Sequence, residues 1–223
     1  MNNMVMGAFP RSGTTWARLI IEWFAERPTY LYKFGKGGET LRSLIKDDKY
    51  IASLDWKVSS PNPILSKIWK TDHDIDPNCR YIFFLRDFKE AIARHAATNE
   101  KFTHEQLLDW YTKLLENYHN HHGPKIIIHY EDLITDHEST IRRIVEFLEL
   151  PFGTPYLEHK YEKFFTNYQS FREAGLHAYP DSMTKGRTVK FHSKDLTDEF
   201  INRCESTLIN AGLGQYVQRY LKS

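Results

Sequence analysis

The chain has 223 residues, with 30 Lys and Arg against 29 Asp and Glu, so its near-zero net charge argues against nucleic acid as a partner and makes any attraction to anions local. This length supports one substantial core, and we expect a single domain over residues 1–223. No apolar stretch approaches the ~20 residues of a membrane span, and we expect no signal peptide, because the first predicted strand begins almost at Met1. The two cysteines, Cys79 and Cys204, have neither disulfide nor metal spacing, which favours a reducing compartment.

Apolar periodicity predicts strands and helices that alternate along the chain. Residues 4–9 form an apolar run that is typical of a buried strand. The next segment has apolar residues at i, i+3, i+4, i+7 and i+8, which predicts an amphipathic helix with an apolar face of Trp16, Leu19, Ile20, Trp23 and Phe24. The glycine-rich residues 35–38 are expected to form a surface loop.

The rest of the chain continues the alternation. Apolar runs at residues 81–85 and 126–128 predict two central strands of a parallel sheet, buried on both faces. Helices are predicted to begin at Thr103, to cover residues 141–148 before Pro151, and to run from about Leu196 to Asn210. This order predicts one α/β domain whose strands are joined by right-handed crossovers.

The turn between the first strand and the first helix carries the strongest functional signal. Backbone amides at a helix start and the helix dipole both favour a bound phosphate or sulfate. Gly13 permits close approach of the backbone, Thr14 and Thr15 supply hydroxyl donors, and Arg11 adds a positive charge. The turn differs from the P-loop of nucleotide-hydrolysing enzymes, because Thr14 stands where that motif has lysine.

This turn resembles the 5′-phosphosulfate-binding loop of the sulfotransferases, usually Tyr-Pro-Lys/Arg-Ser-Gly-Thr-Thr-Trp. The matching residues are consecutive: Pro10, Arg11, Ser12, Gly13, Thr14, Thr15 and Trp16. The resemblance implies a three-layer, P-loop-NTPase-like α/β domain with a central parallel sheet flanked by helices. It also implies a cytoplasmic enzyme that uses 3′-phosphoadenosine 5′-phosphosulfate (PAPS) as donor, releases 3′-phosphoadenosine 5′-phosphate (PAP) and needs no metal.

A second resemblance lies after the predicted strand 81–85. Ligands of parallel sheets bind at the carboxyl ends of the strands, where Arg86 follows Leu85. The family has there an arginine, followed eight residues later by a serine, and both hold the 3′-phosphate of the donor. Arg86 matches the arginine, whereas Arg94 occupies the serine position. The guanidinium of Arg94 is suited to bind the same phosphate. Equally, Arg94 fits a solvated arginine on a helix surface without a role in binding.

The catalytic base has two candidates, which lie in one segment. Lys70-Thr71-Asp72-His73 is similar to the family's Lys-Thr/Ser-His segment, with Asp72 in the histidine position. We favour His73, because a base of near-neutral pKa suits removal of a proton from a hydroxyl, and place Asp72 second. The segment 56–61 aligns about as well but has no titratable base. In the remaining alternative, Asp72 and His73 are polar loop residues without a catalytic function.

The C-terminal part contains two looser resemblances to donor-binding segments. Lys185, Gly186 and Arg187 are similar to an Arg-Lys-Gly loop that closes over the 3′-phosphate. Ser170 and Phe171 resemble a Thr-Ser-Phe segment that contacts adenine.

The predicted reaction is in-line transfer of a sulfuryl group from PAPS to a hydroxyl or amine of a small-molecule, carbohydrate or peptide acceptor. In this hypothesis Arg11 and Lys70 neutralise charge that develops as the donor phosphate leaves, while residues 12–15 bind the 5′-phosphate. A small-molecule kinase with a degenerate P-loop and a non-catalytic nucleotide-binding relative are the alternatives.

Overall fold

The structure, a computed structural model, describes residues 4–33, 36–40, 63–68, 75–170 and 196–221. Its centre is a sheet of six strands: β1 (Met4–Ala8), β2 (Thr29–Lys33), β3 (Lys36–Thr40), β4 (Leu65–Ile68), β5 (Arg80–Leu85) and β6 (Lys125–His129). The strand order is β3-β2-β4-β1-β5-β6. All neighbouring strands are parallel except β2 and β3, which pair antiparallel at one edge.

Helices follow the strands in the order expected of crossover connections. They are α1 (Thr14–Ala25), α2 (Phe88–Ala96), α3 (His104–Asn120), α4 (Tyr130–Thr135), α5 (His137–Leu148), α6 (Thr154–Thr166), α7 (Asp198–Asn210) and α8 (Gly214–Val217), with a 3₁₀ turn at Gln218–Tyr220. None of the helices in the described ranges is long and apolar enough to cross a membrane.

Two apolar cores cover the two faces of the sheet. Alternate residues of β5 enter different cores: Ile82 and Phe84 join the core that contains α1 and α5, whereas Tyr81 and Phe83 join the core that contains α2, α3 and α7. Side chains of a strand point to alternate faces, so a strand that is apolar throughout is covered on both sides. The α/β architecture with helices on both faces of a central, mainly parallel sheet is therefore confirmed.

The helix signals in the sequence correspond to real boundaries. Thr103 accepts a hydrogen bond from the Gln106 amide and Gln106 bonds back to the Thr103 amide, so a capping box begins α3. Asp87 caps α2 through the amide of Lys89, and α5 ends at Leu148 before Pro151.

The expectation of a surface loop at residues 35–38 is wrong for residues 36–38. Lys36–Thr40 forms the edge strand β3, which pairs with β2 through a register shift between Leu31 and Lys33. Glycine is disfavoured in strands, but an irregular edge pairing tolerates it.

Candidate active site

The turn between β1 and α1 has a backbone that strongly restricts its sequence. Arg11 and Gly13 have left-handed φ angles of 72° and 73°. A Cβ added to Gly13 would lie 2.5 Å from Cδ2 of Tyr130, so this position requires glycine for space as well as for conformation. Gly13 provides no side-chain cap for α1, so the amides of the first helical turn are left to other acceptors, and an anion is the kind of group that a helix start favours.

The hydroxyl groups of the turn differ in their surroundings. Ser12 is fully buried, and its Oγ has no hydrogen-bond partner among the described residues. Thr14 is buried and accepts a hydrogen bond from Nζ of Lys67, whereas Thr15 is half-buried. A buried hydroxyl without a partner is costly, and a phosphate or sulfate oxygen above the turn would satisfy Ser12.

Arg11 extends toward the end of α2. Its Nη2 donates a 2.7 Å hydrogen bond to Oγ1 of Thr98, which in turn donates to the carbonyls of Arg94 and His95 at 3.0 and 3.1 Å. The guanidinium is therefore held beside the turn by a hydroxyl that the sequence analysis did not single out.

Arg86 lies at the carboxyl end of β5, directly beside the turn. Its Nη1 donates to the carbonyl of Arg11 at 2.9 Å, and its guanidinium carbon lies 4.2 Å from the centroid of the Tyr130 ring. Burial is the main cause that lowers the pKa of Arg86 from its ordinary value. Its Nε has no hydrogen-bond partner within the described part of the chain. The structure thus brings Arg86 next to the turn that resembles the 5′-phosphosulfate-binding loop.

Arg94 lies near Arg86 on the first helix after β5. Its Nε donates to Oε2 of Glu90 at 2.9 Å, and the same oxygen lies 3.9 Å from Nη2 of Arg86. Arg94 is partly buried and forms an ion pair with Glu90. Glu90 holds the two guanidinium groups in one cluster.

Glu131, on α4 just after β6, supports this cluster through two hydrogen bonds. Oε1 of Glu131 accepts a 3.2 Å hydrogen bond from the Asp87 amide, while Oε2 accepts a 2.5 Å bond from the Tyr220 hydroxyl. Asp87 is the cap of α2. Glu131 therefore connects the start of the helix that carries Arg94 to the C-terminal 3₁₀ turn.

The remaining predicted residues fall into two groups. Trp16 is buried, with its ring centroid 5.7 Å from that of Tyr168, so the segment that leads to the exposed Ser170 lies beside the start of α1. The others lie outside the described residues: Lys70, Asp72, His73, the alternative segment 56–61, Phe171, Lys185, Gly186 and Arg187.

His95 is a buried histidine next to the site. Its ring contacts those of Phe9, Phe102 and Trp110, and neither ring nitrogen has a hydrogen-bond partner among the described residues. Burial and, to a smaller extent, the charge of Arg11 lower the pKa of His95 from 6.5 to about 4. The imidazole is therefore neutral in the folded protein near neutral pH.

This lowered pKa predicts a loss of stability in mild acid. The unfolded chain binds the proton of His95 first, so the free energy of unfolding decreases as the pH falls from about 6.5 to about 4, by at most about 3 kcal/mol. His95→Phe keeps an aromatic ring and removes the titration, so it should reduce this loss. Urea unfolding at pH 7 and pH 4.5 measures this loss of unfolding free energy, and substitution of the exposed His159 by Phe serves as the control. An undiminished acid loss in His95→Phe would contradict the assignment.

Comparisons with known proteins agree with this fold. A model of the sulfotransferase family matches residues 59–154. The fold is similar to that of mouse sulfotransferase SULT7A1 complexed with PAP, with a TM-score of 0.54 and 13% identity over 99% of this chain and 89% of that chain. It is also similar to retinol dehydratase in complex with retinol and PAP, with a TM-score of 0.52 and 13% identity over 94% of this chain and 81% of that chain.

A further structure of retinol dehydratase, in complex with androsterone and the inactive cofactor PAP, has a TM-score of 0.51 and 16% identity over 94% of this chain and 80% of that chain. A search of curated protein sequences finds no significant match.

The fold is an α/β fold of the P-loop-NTPase-like type, in which the turn at residues 8–16 leads from β1 into α1. The matched family segment covers β4 to the start of α6, whereas the turn at residues 8–16 precedes it. Both comparisons agree with the resemblance seen in the turn: residues 59–154 match the sulfotransferase family, and the fold is similar to that of a sulfotransferase and of retinol dehydratase.

Proposed function

We propose that this protein is a sulfotransferase that uses PAPS as donor and transfers its sulfuryl group to a hydroxyl or amine of an acceptor. The observation that carries the proposal is the turn itself. It combines a buried Ser12 hydroxyl that has no partner among the described residues with the adjacent Arg86, whose Nη1 bonds the Arg11 carbonyl. Such an arrangement suits an anionic group at the start of α1.

The two phosphate ends of PAPS would be bound by different residues. Residues 12–15 would bind the 5′-phosphosulfate through backbone amides and hydroxyls, as the start of a helix favours. Arg86, at the end of β5, and Arg94, on α2, would bind the 3′-phosphate, since Glu90 holds their two guanidinium groups close together. Trp16 and the segment at Ser170 and Phe171 would contact adenine, and Lys185, Gly186 and Arg187 would close over the 3′-phosphate.

The reaction that this site would catalyse breaks one bond and forms another. The S–O bond to the 5′-phosphate breaks, its electron pair leaves with the phosphate oxygen of PAP, and the acceptor oxygen or nitrogen bonds to sulfur. Arg11 and Lys70 would stabilise the charge that develops on the bridging oxygen. His73, or Asp72 in its place, would take the acceptor proton. A sulfuryl group carries less charge than a γ-phosphoryl group, so this reaction does not need Mg²⁺ in the way that a kinase does.

The acceptor would be a small molecule, a carbohydrate or a peptide. The similar retinol dehydratase structures contain retinol or androsterone, which supports a small molecule as the first class to screen.

The experiment that tests this proposal separates the two bases. With His73 as base, the rate should rise with pH through a pKa near 6.5, and His73→Ala should remove most of the turnover while PAP binding stays nearly intact. With Asp72 as base, Asp72→Ala has that effect and the rate stays flat into mild acid. Sulfate transfer from PAPS to an acceptor panel, with PAP affinity measured in parallel, distinguishes these outcomes.

Full activity in both variants would remove this segment as the source of the base and return attention to residues 56–61. Tight PAP binding by the unmodified protein without transfer to any acceptor would favour the non-catalytic alternative. Mg²⁺-dependent turnover of ATP would favour the kinase.

A further inference from the structure

We infer that Lys67 is a positioning residue of the donor site, which holds the Thr14 hydroxyl so that its proton points toward the bound donor. This inference rests on the proposed function, since it concerns the same anion site. Lys67 lies outside the Lys70–His73 segment that resembles the family's catalytic motif.

The position of Lys67 follows from the sheet register. Lys67 lies on β4 opposite Met6 of β1, two residues before β1 ends at Ala8. Its side chain is buried, at 2% exposure, and it reaches the first residue of α1. Nζ of Lys67 there donates a hydrogen bond to Oγ1 of Thr14, across 53 residues of sequence. A central strand thus contributes a nitrogen beneath the anion-binding turn.

The direction of this hydrogen bond determines what Thr14 can do. A threonine hydroxyl has one proton and two acceptor lone pairs. Because Lys67 occupies a lone pair, the hydroxyl proton of Thr14 is directed to another acceptor. At the start of α1, where amides already favour an anion, a phosphate or sulfate oxygen is the acceptor that completes this arrangement.

The burial of Lys67 supports a functional reason for its presence. Desolvation is the main cause that lowers the pKa of Lys67 well below its ordinary value, and the charge of Arg18 adds to it. An apolar side chain at this strand position would avoid that cost. Arg18 is itself held by Oγ1 of Thr29 at 2.6 Å, and that hydroxyl donates to Oε1 of Glu22 at 2.6 Å, so the polar groups of α1 beside Lys67 are held in an ordered network.

A double-mutant cycle tests the coupling between Lys67 and Thr14. Lys67→Met and Thr14→Val should each weaken PAP binding, measured by calorimetry, by roughly tenfold. The double variant should be about as weak as either single variant, because each change removes the same directed hydrogen bond from the Thr14 hydroxyl to the donor. Thr14→Ser, which keeps the hydroxyl, should recover most of the affinity lost in Thr14→Val.

Lys160→Met serves as the matched control. Lys160 is also a buried lysine, at 7% exposure, but it pairs with Glu26 at 2.7 Å and lies on α6. The Lys160→Met variant should unfold at a lower urea concentration and keep its affinity for PAP.

The outcomes are distinguishable. Losses in Lys67→Met and Thr14→Val that multiply in the double variant would overturn the inference, and so would unchanged PAP affinity in Lys67→Met. If Lys67→Met does not fold, equal PAP affinities of Thr14→Ser and Thr14→Val would overturn it instead. Failure of the unmodified protein to bind PAP would overturn the proposed function and this inference together, whereas PAP binding without coupling would overturn the inference alone.

Discussion

Replacement of Arg11 by Ala should lower the turnover of sulfuryl transfer by roughly 100-fold or more while PAP affinity changes little. The reason is that a cation beside the breaking S–O bond stabilises charge that exists mainly in the transition state. The substitution adds little backbone strain, because Arg11 already has a φ of 72° and alanine has the same preference against that region. Steady-state rates from PAPS and PAP calorimetry measure the two quantities separately.

Two further variants control this result. Arg11→Lys keeps the charge and should keep substantial turnover. Thr98→Val removes the hydroxyl that accepts from Nη2 of Arg11 at 2.7 Å, so it should lower turnover less than Arg11→Ala. Normal turnover of Arg11→Ala with weakened PAP binding would reassign Arg11 to binding of the ground state.

Replacement of Arg86 by Gln should weaken the binding of PAP by roughly 10- to 100-fold, and the binding of adenosine 5′-monophosphate much less. A charge-assisted hydrogen bond to a phosphate contributes on the order of 1.5–3 kcal/mol, and only PAP has the 3′-phosphate. A smaller common loss is expected for both ligands, because Arg86 also bonds the Arg11 carbonyl at 2.9 Å. Calorimetric titration with each nucleotide measures the difference.

Arg142 offers a matched control for Arg86. Its guanidinium carbon lies 4.1 Å from the centroid of the Tyr161 ring, and it is ion-paired with Glu138 on α5 and Glu158 on α6. Arg142→Gln should leave both affinities unchanged. Arg94→Gln should reproduce part of the Arg86 effect if the two cations share the phosphate. Equal losses of PAP and adenosine 5′-monophosphate in Arg86→Gln would contradict the assignment of Arg86.

The parts of the fold that sequence analysis predicted have strong local patterns. The strands β1, β5 and β6 are apolar runs, and α1, α3 and α5 have a marked helical spacing of apolar residues. The strands β2, β3 and β4 have no local apolar pattern that predicts them. Leu65–Ile68 contains a serine and a lysine, and Lys36–Thr40 contains two glycines, so their strand conformation depends on pairing with neighbours in the sheet.

The candidate site divides in the same way. The turn at residues 10–16 could be predicted because its conformation and its chemistry depend on consecutive residues. The contacts that support it were not, because Lys67 reaches Thr14 over 53 residues and Arg11 reaches Thr98 over 87. A lysine inside a short strand and a threonine after a helix carry no pattern of their own. The functions of Lys70, Asp72 and His73 stay predictions.

Titration of the unmodified protein with PAP, in comparison with ATP and Mg²⁺, tests the central claim most directly. A donor site built from the turn at residues 10–16, Arg86 and Arg94 should bind PAP tightly, with an affinity that a chelator does not change. ATP should bind much more weakly, because it has no 3′-phosphate for Arg86. Tight, Mg²⁺-dependent binding of ATP with no binding of PAP would contradict the assignment of this site to PAPS.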